Sequence, residues 1–201
     1  KVIIEFFIAS PGNFAGAFFI KIGGKMETKQ YKVYKFDELS KEAKEKAVGN
    51  LADINVDFPW WRFTYEEAEE VGVDILEFDC DRGTIGLDFV KGVCLDDVID
   101  KIMKNHWEER STYKAAKKWK EIIEKERETA IKEGIIETED VFEDTPLYDD
   151  IVSCFKYAIG QCYLFMLTEE VEYAQSEKAI IETIKANDYN FLENGKLDPL
   201  P

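Results

Sequence analysis

GVDILEFDCDRGTIGLDFV (residues 72–90) contains two short runs rich in β-branched and aromatic residues, VDILEF (73–78) and TIGLDFV (84–90). Between them lies a polar, glycine-containing turn, Asp79-Cys80-Asp81-Arg82-Gly83. Two strand-like runs joined by such a turn predict a β-hairpin. The chain beyond the hairpin is different in kind. Leu95, Val98, Ile99 and Ile102 recur at helical spacing after Cys94. A longer helix comes next, capped by Ser111 or Thr112 and running to Gly134. The most apolar helix, 147–173, repeats Leu147, Ile151, Phe155, Ala158, Cys162, Phe165 and Met166 at the same period. Ser176 opens a last helix. A hairpin followed by a run of helices is not a βαβ alternation. The prediction is an α+β fold, mainly helical, with five or six helices and a few short, mainly antiparallel strands.

Upstream of the hairpin, QYKVYKF (30–36) alternates as a half-buried strand does. Asp37 opens a helix whose apolar face is Leu39, Ala43, Ala47, Leu51 and Ile54, broken by the DFP at 57–59. A second helix begins after Pro59 and stops at Gly72. Near the other end, Asn194-Gly195 signals a tight hairpin turn.

Residues 2–22 are conspicuously apolar but interrupted by Glu5 and Pro11-Gly12-Asn13. Each run is shorter than the ~20 residues that span a bilayer, and the interruptions spoil a signal peptide. Residues 1–25 carry three bases and one acid, unlike the acidic remainder. From Met26 the chain reads METKQYKVYKF, an ordinary soluble start. Residues 1–25 are therefore set apart as an apolar N-terminal extension, and 26–201 as a single α+β domain. Two origins for 1–25 stay open: two strands around Pro11–Asn13, or an extension upstream of the natural start.

The charge narrows the function classes. Forty-two acids against 26 bases give a formal charge of −16, which disfavours general nucleic-acid binding. Over half of the excess lies in residues 121–150, where twelve acids meet three bases; residues 134–146 are expected to be an exposed acidic loop. A basic island, Arg110–Lys120, adjoins it with Lys114, Lys117, Lys118 and Lys120. It suits either phosphate binding or neutralisation of the acidic loop, and the second is favoured. Cys80, Cys94, Cys154 and Cys162 form no CxxC pair, and the single histidine is His106. Zinc-site spacing is therefore absent, a reducing cytoplasm is expected, and Cys154 and Cys162 read as core fillers. No cofactor is expected.

Three constellations could carry chemistry. Asp79, Asp81 and Asp88 are weak candidates for a metal site. FDCDRGT is similar to the aspartate motif of haloacid-dehalogenase-type phosphatases, but Arg82 interrupts it. The calcium-loop pattern fails at Gly83 and Val90, where oxygen ligands belong. A polar turn with Arg82 paired to an aspartate is the plainer reading. His106 could serve as a general base, yet no partner stands at a known spacing, so a helix-end role is favoured. Trp60-Trp61-Arg62-Phe63 could form a binding platform; tandem tryptophans at a helix start more often belong to the core. Trp60, Trp61, Arg62, Lys114, Lys117 and Lys118 are the candidate partner-binding residues.

The segments YKFDELSKEAKEKAV (34–48), WWRFTYEEA (60–68), GVDILEFDCDRG (72–83), NHWEE (105–109) and ETIKANDYNFLENGKL (182–197) together resemble a group of small phage and prophage proteins. These begin with an "FDELS-EAK-KA" helix, and some are described as antitoxins of toxin–antitoxin stability systems. The resemblance spans most of 30–198 and brings no catalytic residues. It implies a cytoplasmic, non-enzymatic acidic protein that binds and modulates a protein partner, a toxin or host factor. Two alternatives stand beside it: a small metal-dependent enzyme acting on nucleotides or phosphate esters through Asp79, Asp81 and Asp88, and a DNA-mimic inhibitor.

Overall fold

The computed structural model describes residues 16–22 and 25–198. The expected strands around Pro11–Asn13 lie outside the described residues, except where β1 (Gly16–Ile22) pairs antiparallel with β2 (Lys25–Tyr31). Six α-helices and short antiparallel strand pairs make the fold mainly helical α+β. By its contacts the chain divides into two compact units, one formed by Lys1–Phe58 with Tyr173–Pro201, the other by Pro59–Glu172.

In the first unit, β3 (Tyr34–Lys35) pairs antiparallel with β6 (Asn190–Phe191). The strand read over 30–36 is thus split, with β2 ending at Tyr31 and β3 beginning at Tyr34. The helix expected from Asp37 also begins later. Phe36–Glu38 is one turn of 3-10 helix, and α1 (Lys41–Asn50) starts behind Ser40, whose hydroxyl accepts the Ala43 N–H at 3.2 Å. A serine cap satisfies a donor that the aspartate three residues earlier cannot reach. Phe36, Leu39, Ala43 and Ala47 bury against Ile180 and Ile184 of α6 (Glu177–Ala186) and Phe191. Leu51 and Ile54 pack on this core from the turns beyond α1. Ser176 caps α6 as expected, accepting from Ala179 N–H. The Asn-Gly turn folds back so that Phe191 bridges Leu197. Gly195 sits there at φ 81°, where an added Cβ would collide with the Ala43 carbonyl oxygen.

In the second unit, α2 (Arg62–Glu70) leads into the hairpin of β4 (Val73–Asp79) and β5 (Thr84–Phe89), in the register Val73↔Phe89 to Asp79↔Thr84 with a bulge between Ile75 and Glu77. Then come α3 (Leu95–Asn105), α4 (Ser111–Lys132) and α5 (Pro146–Ala174). Val73 and Ile75 on the hairpin, Val98, Ile99 and Ile102 on α3, and Phe155 and Ile159 on α5 share one core. The 29-residue α5 is the described helix long and apolar enough to cross a membrane by length and composition. One face of it, from Ile151 through Phe155 and Ile159 to Leu167, is buried within the protein.

The structure departs from the sequence expectation at three places. Neither Ser111 nor Thr112 caps α4; Arg110 holds the cap position and makes no side-chain cap bond. The 134–146 segment is not a wholly exposed loop, because Ile136 and Phe142 are buried and a 3-10 helix covers Glu139–Asp144. Two apolar anchors among many acids are enough to fasten such a segment down. Cys154 is exposed and Cys162 only half-buried, so neither is a core filler; all four thiols are free.

Candidate functional site

The hairpin does not gather the three aspartates. Asp79 stands at the turn end, paired across from Thr84, whereas Asp88 pairs across from Asp74 at the far end. Five residues of extended strand put them on the order of 15 Å apart. Asp79 and Asp88 each have a local role. Asp79 accepts the Arg82 N–H at 2.9 Å and lies 3.5 Å from its side chain. Asp88 pairs with Lys156 of α5 and accepts the Phe89 N–H. The Lys156 ammonium, with that N–H, holds the Asp88 carboxyl below its ordinary range. Asp81 is exposed on the turn. Among the described residues no three His, Cys, Asp or Glu side chains converge as a metal site would require, so a metal-dependent enzyme built on these three lacks its geometry.

Trp60 and Trp61 are half-buried and pack edge-to-face with each other and with Phe78 of β4, ring centroids 5.6–6.0 Å apart. They pin the start of α2 to the hairpin. Arg62 is engaged with Glu66 at 2.8 Å, while Phe63 projects outward at 76% exposure. Two lysines of the basic island find counterions close by. Lys114 pairs with Glu109 and Lys120 with Asp100 of α3. Lys117 and Lys118 are exposed and carry no ion pair among the described residues. Lys114 and Lys120 are thus offset by the turn after α3 and by α3 itself rather than by the 134–146 segment.

The densest buried polar constellation joins residues that stand far apart in the sequence. His106 ends α3, its backbone N–H bonded to the Ile102 carbonyl. Its ring turns inward and is almost fully buried. Nδ1 lies 2.7 Å from the Thr112 hydroxyl in the first turn of α4. Nε2 faces Glu67 of α2 at 3.4 Å, too loosely aimed to form a bond. The tautomer that serves both neighbours has Thr112 O–H donating to Nδ1 and Nε2 carrying the proton toward the carboxylate. Arg110 brings its guanidinium 2.6 Å from the same Glu67 oxygen, over the Trp107 ring, with Met166 Sδ at 3.1 Å. The Tyr163 hydroxyl of α5 is buried without a partner.

Burial pushes His106 below its ordinary range; Arg110 adds to this and Glu67 partly opposes it. His106 is therefore a neutral imidazole near neutral pH. Burial, with the negative charge of Glu67, pushes the Tyr163 phenol well up. A hydroxyl, an imidazole and a carboxylate stand in the order used by nucleophilic enzymes. Here, however, Thr112 is wholly buried, so no substrate carbonyl could reach its oxygen. The network instead ties α2, the α3–α4 corner and α5 together. Residues 67, 106, 110, 112 and 163 follow no motif; a helix-end histidine six residues before a threonine was the only local signal.

No protein-family model, curated protein or solved structure gives a significant match to this chain.

Proposed function

We propose that the chain is a non-enzymatic, acidic protein of phage, prophage or bacterial origin that binds and modulates a protein partner carrying complementary positive charge. One observation carries this reading. The acid excess stands on exposed side chains that the protein leaves without cations of its own. Glu69 and Glu70 on α2, Asp74 and Glu77 on β4, and Asp81 on the hairpin turn are exposed and carry no ion pair among the described residues. Several of the cations are taken up elsewhere, Arg110 by Glu67, Arg127 by Asp96 and Lys185 by Asp37, and those left over, such as Lys117 and Lys118, are outnumbered by acids across the chain, 26 bases to 42. Such a surface accelerates association with a basic partner and disfavours acidic competitors. The antitoxin-like or host-interference role follows the resemblance of residues 34–48 and 182–197. The four free thiols agree with a reducing cytoplasm.

Affinity capture from bacterial lysate with the full chain as bait tests the proposal. A basic protein should be recovered at about 0.05 M salt and released by about 0.5 M, as screening shortens the range of surface charges. Recovery of no protein at low salt would overturn it.

A further inference from the structure

We propose that the outward face of α5 docks an amphipathic helix of a protein partner, with apolar residues at its centre and lysine or arginine toward both ends. The proposal rests on the acidic-binder reading and gives it a place and a ligand chemistry. Leu147, Cys154, Tyr157, Gln161 and Phe165 are spaced by seven, three, four and four residues, which keeps their side chains on one helix face. All five are exposed, Leu147 at 37%, Tyr157 at 71% and Phe165 at 58%. Beside the stripe, Tyr157, Gly160 and Gln161 line a cleft of about 210 Å³ with Gly83, Thr84 and Ile85 of the hairpin, room for one anchoring side chain.

Charge gives the occupant its character. The chain holds 42 acids in 201 residues, yet none falls between Asp150 and Glu169, and the one charge there, Lys156, is engaged by Asp88. Acids return on the same face at both ends, Asp150 at one, Glu169 and Glu172 at the other, all exposed. Asp150 and Glu172 lie about 33 Å apart along the axis, so the complementary ligand is a helix of some 20 residues with basic ends. A second copy of this chain does not fit. Gln161 stands midway between 150 and 172; an antiparallel copy would set Asp150 against Glu172, and a parallel copy would set like residue against like. Anionic headgroups would meet the same acids.

The test uses the full chain and a fluorescein-labelled synthetic helix of about 22 residues, with a Leu/Phe centre and Lys at both ends, read by fluorescence anisotropy. Tyr157→Glu with Phe165→Glu should weaken binding by about tenfold or more, since both are central apolar contacts. Asp150→Asn with Glu172→Gln, which leaves the apolar stripe untouched, should weaken binding and flatten its salt dependence. Unchanged affinity in both double variants would overturn the proposal. So would a native dimer that Tyr157→Glu with Phe165→Glu converts to monomer in sedimentation, or co-sedimentation of the native chain with phosphatidylcholine vesicles. If the full chain captures a basic protein equally well with and without the two glutamates, this face falls while the acidic-binder reading stands; if nothing is captured at all, that reading falls first.

Discussion

The two units close their cores by different means. The first brings main chain against main chain. Its core sets the small Ala43 and Ala47 beside Ile180, Ile184 and the edge-to-face pair Phe36–Phe191, and the Asn-Gly turn lies directly on the Ala43 carbonyl. Its internal polar bridge is fully partnered, with Thr183 donating to Asn55 and Asn55 donating to the Ala174 carbonyl. The second unit closes with large side chains, Phe142, Phe155 and Tyr163 among them. It also holds the described buried polar atoms without hydrogen-bond partners, on Glu67, His106, Arg127 and Tyr163. All four tryptophans, all four cysteines and the one histidine belong to it as well. A unit sealed by backbone contact tolerates almost no added atom at the seal. A unit sealed by side chains can carry imperfectly paired charges, and its stability is therefore tied to their titration.

The largest effect is expected from Gly195→Ala. The new methyl would meet the Ala43 carbonyl carbon at 3.0 Å and its oxygen nearer still, at a φ that favours glycine. Backbone cannot yield as a flexible side chain can, so the cost should exceed about 3 kcal/mol. Tryptophan emission reports only the second unit, since Trp60, Trp61, Trp107 and Trp119 all lie there. The variant should lose helical circular dichroism under conditions where tryptophan emission stays native. Loss of both signals together would show that the two units are not energetically separable.

The second test sharpens the other half. His106 is held neutral by burial and by Arg110, so its folded pKa lies below its ordinary value of about 6.5. As pH falls through that value, the unfolded chain takes up the proton first. Stability is therefore constant above it and declines below it. The urea midpoint of the native chain should fall from pH 8 to pH 5 by more than that of His106→Asn. The lone histidine also gives a single imidazole signal to follow by NMR. An equal fall in both proteins, or an imidazole that titrates above its ordinary range, would show that Glu67 rather than burial governs the ring.

How far these features could be read in advance depends on their range. The hairpin at 73–89, the helices after residue 94 and the Ser176 cap are written in local periodicity and local hydrogen bonding, and they stand nearly where the residues place them. Boundaries shifted where a nearby residue offered a better local bond, as Ser40 did over Asp37. Phe142 was hidden because an isolated Val141-Phe142 pair among acids gives no period. The Glu67–His106–Thr112 network was hidden for a stronger reason: it joins three elements whose spacing in sequence carries no trace of their meeting. The outward stripe of α5 was masked by its own inner face, since a helix apolar on most sides reads simply as core.

The smallest effect returns to the first unit and separates space from conformation. Gly49 lies within α1 and is exposed, and nothing stands within 4 Å of where its Cβ would be. Its backbone is already helical, so alanine there adds no strain. It removes conformational freedom from the unfolded chain and improves helix propensity, together worth about 0.5–1 kcal/mol. Gly49→Ala should raise the unfolding midpoint followed by circular dichroism and leave the tryptophan transition where it was. The same substitution thus carries opposite signs at two positions of one unit, because at 195 the chain needs the missing atom and at 49 it does not. A Gly49→Ala protein less stable than the native chain would mean that the end of α1 is not helical in solution, and the contrast with Gly195 would lose its control.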